Sequence, residues 1–408
     1  MLNPDEGVDK VTDVLIEKNI IKEISPKIDV EENQYTDIID GTGLIFAPAL
    51  VDLYSNSSEP GYEERETLQT LAASAEAGGF SRVGILPNTQ PAIDNMSMVS
   101  WFNTKTSGYQ TIFSVWGALT KNLAGNNVAE LADLAEAGVI GFTDNRPHQN
   151  LQLIRKLLEY AQPFNLPVAL VPNNLELSGN GVVRESRTSL RLGLRGNPDI
   201  AESVAIASLL EVASFTKTPI HLMRVSTARG VELIKQAKES GIAVTASVNW
   251  HHLLLTTEMI ASYDPNLRFE PPLGTEIDRF ALLTGIKNGT IEAIAVDHQP
   301  YTYEEKTVAF AQAPTGAIGL QLALPLLWQN LVVTGELSAL QLWQSMSVNP
   351  LKCLQKPPLK LEIGKPSEFI VFAPQQTWQV TSSELKSLSN NTYWYNKQVQ
   401  GKILRWQN

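Results

Sequence analysis

Eight apolar runs, each separated from the next by segments of helical periodicity, dominate the middle of this chain. They fall at Phe46–Ser55, Phe80–Leu86, Thr111–Leu119, Val139–Asp144, Pro167–Pro172, Pro219–Val225, Ala243–Asn249 and Ile291–Asp297. Near-continuous apolar runs of this length read as strands buried on both faces, the habit of parallel sheets. The stretches between them include Arg65–Ala77, Val128–Glu136, Leu151–Ala161, Ile200–Phe215 and Gly230–Glu239. They carry an apolar stripe, and several run into glycine, a common helix terminator. Eight strand–helix repeats predict an α/β fold, a closed (β/α)8 barrel of the TIM type.

The two ends of the chain have a different texture. Short strand patterns occur at Val14–Ile16, Ile21–Ile24 and Ile38–Ile39, and again at Phe369–Phe372, Trp378–Val380 and Ile403–Trp406. Neither set closes a core alone. We therefore expect residues 1–49 and 349–408 to meet as one small β-domain beside a barrel spanning 50–348.

The whole chain has 408 residues, 43% of them hydrophobic and 18% charged, which is ordinary for a globular protein large enough to bury a sizeable core. A net charge of -11 argues against a nucleic-acid surface, which needs clustered Lys and Arg. Membrane spanning is not expected: the longest apolar run, around Leu320–Leu331, is interrupted by Gln321, Pro325 and Gln329. Cys353 is the single cysteine, placed in an apolar helical stretch after Asn349 and Pro350, and it reads as a buried small hydrophobe. With no internal disulfide possible and no export-type segment at Met1–Lys10, a cytoplasmic location is expected.

In such a barrel the chemistry sits at the C-terminal ends of the strands. The polar residues there are Asp52, Tyr54, Asn56, Asn88, Asp144, Asn173, Arg224, Asp297 and His298. The segments around them are DLYSNSSEPGYEERET (52–67), LPNTQPAIDN (86–95), GFTDN (141–145), HLMRVST (221–227), VTASVNWHHLLLT (244–256), YDPNLRFEPPL (263–273) and VDHQPYTYEEK (296–306). Together they resemble the dihydroorotase branch of the amidohydrolase superfamily over almost the whole chain. That resemblance implies a zinc centre that activates water to open or close a cyclic amide.

Carried over residue by residue, the resemblance implies that most of the zinc shell is gone. Tyr54 and Asn56 stand where the family has its paired histidines, Val171 where it has the strand-five histidine, and Arg224 where it has the strand-six histidine. Asp144 and Asp297 are the two retained ligand positions, and Asp297 is also the family's proton shuttle. Two carboxylates suffice at most for a weak magnesium or calcium site. None of His148, His221, His251, His252 and His298 matches a ligand position. Of the substrate contacts Asn88 remains, whereas Ser58, Glu270, Gly274 and Tyr301 replace the family's residues. Framework residues such as Pro60, Gly61, Glu63, Pro87, Ser226, Thr227 and Pro271–Leu273 still match.

The favoured expectation is a homologue that has lost zinc hydrolysis, needs no cofactor, and serves as a non-catalytic subunit linked to pyrimidine biosynthesis. Aspartate transcarbamoylase is the candidate partner, and a homo-oligomer is expected by analogy with the family. One alternative is an active cyclic amidohydrolase with a reduced metal site on Asp144 and Asp297, or with Asp297 as bare general base. Another is a sensor of an uncharged or cationic small molecule near Glu270. Arg224 either replaces the charge of the metal by pairing with Asp144 or Asp297, or reaches out to solvent.

Overall fold

The computed structural model of the chain describes residues 1–29 and 38–407. Barrel strands one to three, Leu50–Ser55, Phe80–Ile85 and Ile112–Val115, pair in parallel. Strands five to eight, Val168–Leu170, Ile220–Leu222, Val244–Asn249 and Ala293–Ala295, form a second parallel set. The predicted fourth strand shrinks to isolated bridges at Phe142, which joins Gly117 on one side and Val168 on the other. The segment is still hydrogen-bonded on both sides, Gly117 N–H to the Gly141 carbonyl (2.9 Å) and Phe142 N–H to the Pro167 carbonyl (2.9 Å), and Gly141 fits there because a Cβ would lie 2.4 Å from the Trp116 ring. Closure comes at the other seam, where Asp297 N–H donates to the Tyr54 carbonyl (3.1 Å) and Asn56 N–H to the His298 carbonyl (2.9 Å).

The outer helices follow the sequence periodicity. Leu151–Ala161 has the predicted bounds, because Asn150 caps it by accepting from Leu153 N–H. Leu68–Gly78 starts later than the pattern at Arg65 because Thr67, not an earlier residue, closes the capping box with Thr70. Leu131–Glu136 is likewise shorter than predicted. Inside the barrel Leu53, Tyr54, Leu86, Trp116, Ile140, Ala169, Met223, Ala293 and Ala295 pack together, with Cys353 and Leu354 in the same cluster. The barrel interior is a filled core and not a pore.

The run predicted as strand one, Phe46–Ser55, divides at Ala49. Its first part, Ile45–Pro48, leaves the barrel and pairs antiparallel with Phe369–Phe372, while Phe369–Gln379 pairs with Gln398–Gln407. N- and C-terminal segments thus share one three-stranded sheet, as expected. Asp13–Glu17 and Ile20–Ser25 form a separate hairpin. The strand expected at Ile38–Ile39 does not form; both side chains are exposed in irregular backbone, with no buried face to reward pairing. Among the described residues no helix is long and apolar enough to cross a membrane.

Candidate functional site

At the C-terminal ends of strands six and eight, Arg224 and Asp297 form a two-pronged ion pair. Nε donates to Oδ2 at 2.8 Å and an Nη to Oδ1 at 2.7 Å. Asn249, at the end of strand seven, donates to Oδ2 at 2.7 Å, and Gln299 donates to Oδ1 at 3.1 Å. Both side chains of the pair are about 5% exposed, 6% for Arg224 and 5% for Asp297. Burial works against the guanidinium's charge, but Asp297, together with Tyr54 and Glu270, more than offsets it and holds the Arg224 pKa above its ordinary value. Such fork-to-fork geometry is the strongest form of the charge-assisted hydrogen bond.

Tyr54 lies beneath this pair. Its ring is 5.3 Å from the Arg224 guanidinium carbon, and its hydroxyl accepts from Arg224 N–H (3.2 Å). The same hydroxyl is 2.8 Å from Ser247 Oγ, which in turn meets His221 Nε2 at 2.9 Å. Burial raises the Tyr54 phenol, so it stays protonated at neutral pH. The retained carboxylate Asp144 is turned to another set of donors: Leu119 N–H (2.7 Å), Thr120 N–H (2.9 Å) and Thr120 Oγ1 (2.5 Å). His148 Nε2 lies 3.1 Å from Asp144 Oδ2, but off the direction that a hydrogen bond requires. Arg224 thus takes Asp297, and Asp144 is satisfied by the backbone and a threonine.

The ends of strands one, two and four carry a chain of side-chain amides. Asn56 Nδ2 donates to the His298 carbonyl (3.2 Å), Asn88 Nδ2 to Asn56 Oδ1 (2.7 Å), and Asn145 Nδ2 to Asn88 Oδ1 (3.2 Å). These three residues, with Arg65, Val171, Arg224, Glu270 and Tyr301, help line a cleft of about 270 Å³. Glu270 meets the Asn173 amide at a long 3.4 Å, and its carboxyl is raised by burial against the opposing pull of Arg268, Arg184 and Arg224. Arg65 is committed elsewhere, bound to Glu305 through Nε (3.0 Å) and an Nη (2.5 Å).

Several site residues escaped the sequence reading. Asn249 closes the run VTASVN, where its place at a strand end was signal enough. Arg184, 3% exposed, donates to Ser226 Oγ at 2.7 Å from the excursion between strands five and six. Glu202, also buried, accepts from Ser226 N–H, Thr227 N–H and both hydroxyls. Neither lies within the motif segments.

Zinc does not fit this donor set. A protonated phenol at Tyr54, a committed amide at Asn56, a hydrocarbon at Val171 and a cation at Arg224 leave Asp297 facing a guanidinium. Among the described residues no group of three or more His, Cys, Asp or Glu is arranged to hold a metal ion. Comparison with known proteins places the architecture. A family described as Dihydro-orotase-like matches residues 43–228. A "Probable dihydroorotase-like protein" of Synechocystis sp. is 42% identical over 100% of this chain and 97% of its own length.

The chain belongs to the dihydroorotase-like family.

A dihydroorotase of Ruminiclostridium cellulolyticum is 38% identical, covering 96% of this chain and 91% of the relative. Among solved structures the L-hydantoinase of Arthrobacter aurescens superposes with a TM-score of 0.84 at 21% identity, covering 97% of this chain and 90% of the other. That likeness supports the barrel fold with its appended sheet. Within the family this chain keeps the barrel and lacks an intact metal-binding cluster among its described residues, consistent with loss of zinc-dependent hydrolysis.

Proposed function

We propose that this dihydroorotase-like protein is a non-catalytic subunit linked to pyrimidine biosynthesis, with aspartate transcarbamoylase as its candidate partner. The observation that carries the reading is the bidentate Arg224–Asp297 pair. A fixed guanidinium supplies the positive charge that a buried carboxylate demands, so the barrel mouth is compensated without a metal. Hydrolysis would need the opposite arrangement. Asp297, the candidate catalytic residue, accepts four hydrogen bonds through its two oxygens, which disfavours it as a general base toward water. The weak two-carboxylate site is disfavoured in the same way, since Asp144 is engaged by Leu119 and Thr120.

The subunit role is supported by large apolar side chains exposed on the outer helices, among them Phe215 and Phe280, each 67% exposed, and Ile277 at 75%. These offer contact surface to a partner or to further copies of this chain. A cytoplasmic location accords with the lone, fully buried Cys353 thiol.

Elemental analysis after loading with zinc, together with dihydroorotate turnover at micromolar enzyme, tests the loss of hydrolysis. The expected result is substoichiometric zinc and no turnover; tightly held zinc with ring opening overturns the reading. Co-purification with aspartate transcarbamoylase from the native host tests the partner.

A further inference from the structure

The helix Ile200–Thr216 lies on the outside of the barrel, between the helices Leu151–Ala161 and Ala228–Glu239. Its residues are apolar or small on almost every side. Of its two charged residues Glu202 is buried, which leaves Glu211 as the one charge it shows to solvent. Ile200, Val204, Ala207 and Phe215 are exposed along the same outer face as Glu211, at helical spacing that keeps all five in one stripe.

A helix that is apolar all round ordinarily has cover on every side. The neighbouring Ala228–Glu239 shows what a water-facing helix of this barrel carries instead, with Arg229 bound to Glu232 (2.6 Å) and Lys235 to Glu239 (3.8 Å). Ile277 and Phe280, exposed on the helix Glu276–Asn288, are single apolar side chains beside Arg279, which binds Glu276 and Glu336. They form no such stripe.

The stripe on Ile200–Thr216 matches itself under a two-fold axis. Turned end for end about the midpoint between Ala207 and Ser208, Ile200 falls opposite Phe215 and Val204 opposite Glu211. Large apolar groups then meet at both ends, and the small central side chains let the two backbones approach. Charge favours the same occupant. With Leu151–Ala161 beside it, the face carries exposed Arg155, Lys156, Glu159 and Glu211, so it is neutral on a chain of net charge -11. Two acidic copies repel each other least there, and a strongly charged partner finds no field to read. At 1.5 Å per residue the helix is about 25 Å long, and two helices are ~20 Å wide, so each copy offers on the order of 500 Å². A pair then buries about 1,000 Å², the threshold for a specific interface.

We infer that the outer face of Ile200–Thr216 is a two-fold interface between two copies of this chain, with the two helices antiparallel. The inference goes beyond the non-catalytic reading and does not depend on it, since no residue of the barrel mouth takes part.

Sedimentation equilibrium of the full chain from ~1 to ~100 µM is the test, and a monomer–dimer equilibrium with micromolar Kd is expected. Val204→Glu sets a second carboxylate against Glu211 of the other copy and should weaken the dimer about tenfold or more. Adding Glu211→Lys to Val204→Glu should recover most of that loss, because the facing charges are then opposite in sign. Ile277→Glu with Phe280→Glu should leave the dimer unchanged. Thermal melts show whether each variant is folded. A monomer at ~100 µM, an unchanged dimer in folded Val204→Glu, no recovery in the double variant, or dissociation by the Ile277 and Phe280 changes overturns the inference. So does a monomer that binds aspartate transcarbamoylase and loses it on Val204→Glu, a result that gives the face to that partner and upholds the proposed function.

Discussion

Arg224 and Asp297 reach one another across the intervening seventh strand, and both hold left-handed backbone, with φ of 55° and 51°. Positive φ at such residues is uncommon and costs of order 1–3 kcal/mol each. Two sparsely populated backbones therefore aim two side chains at a single contact. The neighbouring Asn249 amide adds its bond to the same carboxylate, so the pair is fixed from three strands at once.

Removing one partner leaves a buried charge without compensation. We expect Arg224→Met to lower the unfolding free energy by roughly 3–5 kcal/mol, whereas Arg224→Met combined with Asp297→Leu recovers most of that loss. Urea titration of the wild type, both single variants and the double variant measures the coupling. Additive losses would show that the pair contributes no coupling.

Restoring imidazoles should restore the metal before the chemistry. The variant Tyr54→His, Asn56→His, Val171→His, Arg224→His frees Asp297 and rebuilds the nitrogen donors. It is expected to retain close to one zinc per chain or more after dialysis, by elemental analysis. Dihydroorotate turnover should stay absent, because on the family resemblance Ser58 and Glu270 occupy the anion's contact positions. Failure of the folded variant to hold zinc would mean that these side chains do not converge on one point.

Acid should destabilise this protein through its buried histidines. Burial, then the charge of Lys238, lowers His221 from 6.5 to about 3, and burial, then Arg184, lowers His252 to about 4. Above pH 6.5 both are neutral folded or unfolded. Below it the unfolded chain binds protons that the folded chain refuses, so stability falls as the pH drops toward 4. Each group contributes a slope of about 1.4 kcal/mol per pH unit in that window. His221→Gln should therefore lose stability less steeply between pH 6 and 4.5 by about that slope, in urea titrations at several pH values.

Gly84 in the second barrel strand has no room for a methyl group: a Cβ there would lie 2.2 Å from the Leu53 carbonyl oxygen. That oxygen also accepts from the Trp116 indole at 2.9 Å, so neither neighbour can yield without breaking a buried bond. Gly84→Ala is expected to cost about 1–3 kcal/mol or more, seen as a lowered denaturation midpoint. Gly108→Ala, where nothing lies within 4 Å, is the control and should be near neutral.

Much of this architecture is written in apolar spacing. Leu151–Ala161 was legible to the residue because an amphipathic stripe and an Asn cap coincide. The fourth strand sits where the apolar run put it, bonded to its neighbours from Ile140 to Thr143, although its regular pairing is limited to bridges at Phe142. Ile38–Ile39 looked like a strand from two β-branched residues, but among the described residues no strand pairs with them. At the mouth, the motifs located Tyr54, Asn56, Asp144, Arg224 and Asp297, and charge logic singled out Arg224 as a partner for one of the two carboxylates. Which carboxylate it takes depends on Leu119 and Thr120 claiming Asp144, a contact made by folding. The direction of the Asn56–Asn88–Asn145 chain likewise depends on a backbone carbonyl that no residue identity encodes.

The shared terminal sheet imposes an order on biogenesis. Ile45–Pro48 leaves the ribosome long before its mate Phe369–Phe372, with the whole barrel made in between. Until then the segment leading into the barrel's first strand is an unpaired edge, open to stray pairing with other chains. Deleting Phe369–Gln379 should accordingly be punished far more than the segment's small size suggests, because it closes a seam begun by Ile45–Pro48.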